Sequence, residues 1–314
     1  MNQPIKIGLD LGMGAIKTHA NSGVGILPSF VSIETGDEFS TGTGLTSSKV
    51  TKLSFNGQGY YVGRNAHSHG RPLENLDYER LLGSPEIKAL FCGAMAETFG
   101  RNNIPPTVSV VAGLPIELLK GAQGRQTATK VREWLMGAHE WKMGRDNLHT
   151  TVSDVAITSQ PAGALMDYML DDSGNAVNIP KEIGIISVGF NTTEILVVEG
   201  KQVNQSMSNG GTHGVRRLLE LCDPNNQYTL GELDRLMRSN SLDVKPNIEI
   251  WAREVKGAIE REWGTRWHRF DKIVLVGGGS IILRNHLGFN GKAVLPDEPI
   301  TSIARGLWKS SQRG

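Results

Sequence analysis

Two stretches of this chain are near-copies of each other, and few folds contain such a pair. Ile7 to Ala20 reads IGLDLGMGAIKTHA, and Ile185 to Val198 reads IISVGFNTTEILVV. Each opens as a short apolar strand, turns on a glycine-containing loop and returns in residues suited to a second strand. Asp10, Gly12 and Lys17 fall opposite Ser187, Gly189 and Glu194, so a serine stands where the first copy has an acid. Near-copies this far apart imply a duplicated domain with a cleft between the halves. No short-period repeat is present.

The intervening sequence alternates strand and helix signals. VGILPSFVS continues the β pattern, and FNGQGYYVGRNA reads as a hairpin around Asn56-Gly57. TGDEFSTGTGLTSS reads as an exposed loop. Residues 84–100 have helical spacing and stop at Gly100, and 122–136 is a second expected helix. VSDVAITSQPAGALMDYML is a strand, a turn at Gln160-Pro161 and a helix with Pro161 in its first turn. After the second hairpin come a glycine loop opening a helix at SNGGTHGVRRLLELC, a helix started by Thr229, and a long helix through NIEIWAREVKGAIEREW. The strand IVLV runs into Gly277, Gly278 and Gly279, and PITSIARGLWKSS closes the chain as a helix. Buried strands alternating with helices give an α/β fold. At 314 residues the chain suits two domains.

In DLGMGAIK a glycine loop lets backbone N–H groups approach an anion closely. The stretch lacks the Gly-Lys-[Ser/Thr] of a Walker loop and the third glycine and following helix of a dinucleotide-binding turn. On its own it fits an ordinary hairpin equally well. Lys17 sharpens the reading, since a lysine in the outgoing strand can aim charge at phosphate oxygens. Asp10, at the end of the incoming strand, can hold the water shell of Mg²⁺. Three glycines after a buried strand leave a bare platform for a flat base or sugar.

The order of these parts resembles the actin-like ATPase superfamily. DLGMGAIK looks like its first phosphate loop, SVGFNTTE its second and IVLVGGGSII its adenosine motif; QPAGAL and ITSIARGLW look like the two connecting helices. ILPSFVS, VVAGLPIELL and the compact length resemble ParM-like plasmid-segregation actins and related archaeal actin-like proteins. The resemblance implies duplicated actin-like (ribonuclease H-like) domains with an interdomain nucleotide cleft. Domain I would be 1–160, with an inserted subdomain at about 34–80 and completion by 300–314; domain II would be 161–299. It further implies ATP or ADP with Mg²⁺ in the cleft, ATP hydrolysis, and assembly of the chain with itself into filaments for plasmid or other DNA segregation.

Site roles carry over by position. Asp10 acts on Mg²⁺ through water, with Ser187 as a weak second contact. Gly12, Met13, Gly14 and Ala15 offer backbone to the phosphates and Lys17 adds charge. Gly189, Phe190, Asn191 and Thr192 form the second loop, where Asn191 and Thr192 supply dipoles in place of the missing acid; Glu194 is expected to lie too far along its strand. Gln160 orients the attacking water, which suffices because phosphoryl transfer mainly needs positioning. Gly210, Gly211 and Thr212 lie near the ribose and phosphates, Gly277, Gly278 and Gly279 face the adenosine, and Glu254 and Lys256 approach the base. Two alternatives stand beside the filament: a small-molecule kinase of the same superfamily, and a weakly hydrolysing nucleotide-binding scaffold. No catalytic aspartate in a sugar-binding insertion is evident.

Composition bounds the partners. A formal net charge of +1 gives no broad grip on nucleic acid, so DNA contact would pass through a DNA-binding adaptor protein. No apolar run spans a membrane, and MNQPIKIGLD has no signal-peptide pattern, so a cytoplasmic location is expected. Cys92 and Cys222 read as buried thiols and the tryptophans as core residues. His67 and His69 lack further metal-ligand partners nearby.

Overall fold

The computed structural model describes residues 3–36, 49–73, 77–289 and 291–313. The loop expected within TGDEFSTGTGLTSS lies largely outside them.

The chain forms two sheets. The first is built from β1 (Ile5–Leu11), β2 (Ala15–Ala20), β3 (Gly23–Pro28), β4 (Val31–Ile33), β5 (Thr51–Phe55), β6 (Gln58–Val62), β7 (Arg71–Pro72), β8 (Thr107–Leu114), β9 (Gly137–Met143) and β10 (Asp146–Ser159). Its order is β3-β2-β1-β8-β10-β9-β5-β6-β4-β7. The second uses β11 (Glu182–Val188), β12 (Thr193–Glu199), β13 (Gln202–Val203), β14 (Asn209–Gly211), β15 (Lys272–Val276) and β16 (Ala293–Val294). Its order is β13-β12-β11-β15-β16, with β14 paired to β12. In both sheets the central strand has an antiparallel hairpin partner on one side and a parallel strand on the other. The duplication extends to register: Asp10 lies opposite Lys17, and Ser187 opposite Glu194.

β11 is buried at every position and β1 from Ile7 onward, as expected of central strands covered on both faces. The helices doing the covering are α1 (Pro85–Phe99), α2 (Gly121–Leu135), α3 (Gln160–Met169), α4 (Val215–Cys222), α5 (Leu230–Arg238), α6 (Lys245–Trp263), α7 (Gly278–Leu283) and α8 (Ser302–Gln312). α1 begins with Ser84 Oγ accepting from Ile87 N–H at 3.3 Å and ends at Gly100, φ +72°. Asn56 and Gly57 both adopt positive φ, as a tight two-residue hairpin turn requires. Trp251 and Trp263 are fully packed, and each indole N–H donates to a carbonyl.

Two outcomes differ from the expectation. β10 is 14 residues long and begins well before VSDVAITS, pairing with β9 in a hairpin that is not among the expected elements. The polar alternation of GAHEWKMGRDNLHT, with Gly144 at φ +65°, carried that signal. At Gln160-Pro161 there is no separate turn: β10 runs straight into α3, with Ser159 Oγ accepting from Ala162 N–H.

α3 and α8 cross at two glycines. A Cβ on Gly306 would overlap the carbonyl of Gly163, and one on Gly163 would sit 2.9 Å from the Ile303 carbonyl. Asp167 secures the crossing, accepting from Arg305 Nε at 2.7 Å and Ser302 Oγ at 2.6 Å. Burial alone would raise this carboxyl, but the Arg305 and Ser302 hydrogen bonds hold it below the usual carboxylate range.

Candidate nucleotide site

The tips of the two hairpins face each other across a cavity of about 420 Å³, within the range of small-ligand pockets. Asp10, Gly12, Met13, Gly14, Ala15 and Lys17 line it from the first hairpin, and Ser187, Gly189, Phe190, Asn191 and Thr192 from the second. Gln160 reaches it from the start of α3, and Gly277, Gly278 and Gly279 from the junction of β15 and α7. A larger cavity of about 1020 Å³ lies elsewhere, walled by Leu165, Met166, Met169, Leu196 and Val198. It lacks both glycine loops and the polar cluster described next, so volume alone does not mark the site.

The cluster is centred on Asp10, which is 1% exposed. Lys17 Nζ lies 2.9 Å from its Oδ2, and Gln160 Nε2 donates to its Oδ1 at 2.7 Å. With its amide nitrogen committed to Asp10, Gln160 keeps its carbonyl oxygen to accept from a water. Lys17 also leans over the loop, since a Cβ on Gly12 would be 2.9 Å from Nζ. Glycine at 14 has a different cause: a Cβ there would collide with Phe190, so the two loops touch.

The second loop is oriented by α4. Val215 N–H donates to Gly189 O at 3.0 Å, Arg216 N–H to Phe190 O at 2.7 Å, and Gly214 N–H to Asn191 O at 3.3 Å. The first turn of α4 is thus spent on loop carbonyls rather than on an anion.

The structure does not bring every expected residue into the cavity. Gly210 and Gly211 belong to β14, where Gly210 N–H donates to Glu117 Oε1 at 3.0 Å, and Thr212 is exposed beyond them. Glu254 is held bidentately by Arg217 at 2.8 Å and Lys256 pairs with Glu260, so α6 does not reach the cavity with either. That position is taken by α5, whose Asp234, Met237 and Arg238 line the cavity. Asp234 is fully buried; Arg238 Nε donates to its Oδ2 at 2.6 Å, and its Oδ1 has no partner. Such a group costs about 1–3 kcal/mol unless a donor reaches it. The sequence carries a signal for this: Asp234 falls on the apolar stripe of Leu230, Leu233 and Met237.

Glu194 does not line the cavity. It is 1% exposed, and its Oε1 accepts from Ile116 N–H at 2.6 Å, bridging the two halves. Burial pushes its carboxyl up to about 8, with the Asp10 and Glu117 charges adding to the rise. At neutral pH it is mostly protonated, so it does not replace the charge missing at Ser187.

Two sheets of matching order, apposed glycine hairpins and an intervening cavity define a duplicated α/β class of actin-like type. Residues 8–163 match the family of actin-like proteins, N-terminal domain. No curated protein sequence matches the chain. Among solved structures it is similar to ParM from a 15-stranded filament of Clostridium botulinum, at 22% identity over 100% of both chains and a TM-score of 0.78. It is also similar to the archaeal actin homologue Ta0583 in complex with ADP, at 17% identity over 99% of this chain and 100% of that one, TM-score 0.75. Apo pSK41 ParM gives 18% identity over 98% and 97%, TM-score 0.73. Residues 8–163 are thus similar to the N-terminal domain of the actin-like proteins, and the chain has an actin-like fold over its whole length. No helix among the described residues is long and apolar enough to cross a membrane.

Proposed function

We propose that this protein is an actin-like ATPase that binds ATP with Mg²⁺ between the hairpins and polymerises with itself, the filament serving plasmid or other DNA segregation through an adaptor. The observation that supports this most is the Asp10–Lys17–Gln160 cluster at the base of two touching glycine loops. The filament of the Clostridium botulinum ParM and the ADP complex of Ta0583 support it by analogy of fold.

In this reading the loop amides and Lys17 bind the phosphates, while Gln160 orients a water for in-line attack. Asp234 accepts from the nucleoside, which would satisfy its open oxygen, and Gly277 to Gly279 lie under it. The phosphate end offers hard oxygens, the Asp10 carboxylate with the Ser187 and Thr192 hydroxyls, a set that fits Mg²⁺. The bound ion would neutralise phosphate charge. Asp10 would hold its waters, Ser187 adding a hydroxyl without charge.

Light scattering is expected to rise on adding ATP and Mg²⁺ above a critical protein concentration, with filaments visible by electron microscopy. Protein that stays monomeric by sedimentation at tens of micromolar (roughly where weak interfaces associate) would remove the filament. Phosphate transfer to a sugar or acid under those conditions would favour a kinase instead.

The uncharged second loop has its own consequence. Ser187→Asp restores a second acid and is expected to lower the Mg²⁺ concentration for half-maximal ATPase activity and to raise turnover. If both are unchanged, the first loop alone manages the metal.

A further inference from the structure

The helix that lines the nucleoside end of the cavity also meets the far half of the molecule. Asp234, Met237 and Arg238 of α5 face the cavity, while Gly231, in the first turn of the same helix, lies against His67. A Cβ on Gly231 would sit 2.7 Å from His67 Cε1 and 2.8 Å from Nε2, so the ring occupies the space a side chain would need. Neither partner is loosely held. His67 lies in the 3₁₀ turn Ala66–Ser68, whose Ala66 carbonyl accepts from Ser32 Oγ at 2.6 Å, and its ring packs edge-on against Phe30 with centroids 4.6 Å apart. α5 starts from a reciprocal capping box between Thr229 and Glu232. Beside the contact is a cavity of about 240 Å³ that Met13 and Phe190, the two loop tips, also line.

We infer that His67 is a positioning residue for the nucleotide, acting through a glycine notch on α5. The inference rests on the nucleotide-binding reading above. α5 is a short rigid rod with the notch in its first turn, Asp234 one turn further on and Arg238 at its end. Seating His67 in the notch fixes the rod where Asp234 and Arg238 meet the ligand. By linkage, a nucleotide that holds α5 in place favours the seated ring by the same factor. Apparent affinity falls in proportion to the fraction of molecules in which the ring is seated.

The test is an ADP titration in Mg²⁺ on four proteins: wild type, Gly231→Ala, His67→Ala and the double variant. Gly231→Ala is expected to weaken ADP binding roughly tenfold to a hundredfold, as one methyl overpacking a fixed contact does. The same change in the His67→Ala background is expected to cost nothing, because the ring that blocked the methyl is gone. Alanine is a better helix former than glycine, so loss of the fold is not expected, and circular dichroism checks it. Hydrogen exchange supplies a readout that a merely structural role would not move. ADP is expected to slow exchange at residues 66–68 in the wild type, although they lie outside the nucleotide cavity, and not in Gly231→Ala. Equal cost of Gly231→Ala in both backgrounds would overturn the inference. So would wild-type protein that binds ADP without protecting 66–68. Wild-type protein that binds no nucleotide at all would instead overturn the functional reading beneath it.

Discussion

Lys17→Ala is expected to weaken ATP binding by about ten- to a hundredfold, the worth of one hydrogen bond to a charged group, while leaving adenosine binding nearly unchanged. The reasoning is geometric. Nζ lies 2.9 Å from Asp10 and hangs over Gly12, at the loop where phosphates would lie. The proposed nucleoside end, at Asp234 and Gly277 to Gly279, is built on other elements, α5 and the junction of β15 and α7. Removing the ammonium also takes an ion-pair partner from the buried Asp10 carboxylate, to which Gln160 still donates, and the penalty falls on this end of the cavity. Calorimetric titration with ATP, ADP and adenosine checks the expectation. An equal loss for all three would make Lys17 a structural ion-pair partner of Asp10 rather than a phosphate ligand.

Much of this arrangement was legible in the sequence, for a physical reason. The end of the cavity proposed to take the phosphates is built from contiguous residues in two hairpins, and a hairpin's register is fixed locally by its turn. Pairing Asp10 with Lys17 and Ser187 with Glu194 therefore needed no tertiary information. The end proposed for the nucleoside is less legible because it depends on which helix the tertiary packing swings over the cavity. α5 and α6 both carry charged residues on amphipathic patterns, and only packing commits Glu254 to Arg217 and leaves Asp234 open to the cavity. Gly210 and Gly211 were misleading for a related reason. A glycine pair before a helix suits a phosphate loop, but here it continues the sheet as an edge strand beside β12. The fixing of Glu194 was not legible because its burial and the approach of Ile116 come from a segment 78 residues away in sequence. The two hairpins thus share a shape but differ in charge: the first carries an ion pair, and the second a serine facing a largely neutral acid.

That neutral acid leads to the second large effect, on stability against pH. Glu194→Gln is expected to remove a loss of stability that the wild type shows as pH rises from about 5 to above 8. The carboxyl sits at about 8 in the folded protein against an ordinary 4.5. Between those values the folded state binds the proton more tightly than the unfolded state. The stability linked to that proton is fully present below pH 4.5 and is lost as pH climbs through 8. A shift of this size corresponds to a difference on the order of a few kcal/mol at the alkaline end. Glutamine keeps an oxygen that can accept from Ile116 N–H and carries no charge, so its stability should not follow that decline. Denaturant unfolding of the two proteins at pH 5 and pH 8.5 gives the comparison. The variant should match the wild type at the lower pH and exceed it at the higher. Parallel loss in both would mean that Glu194 ionises without strain, through water reaching its open Oε2. In that case the second hairpin would hold a true charge after all, and the asymmetry between the loops would be one of position alone.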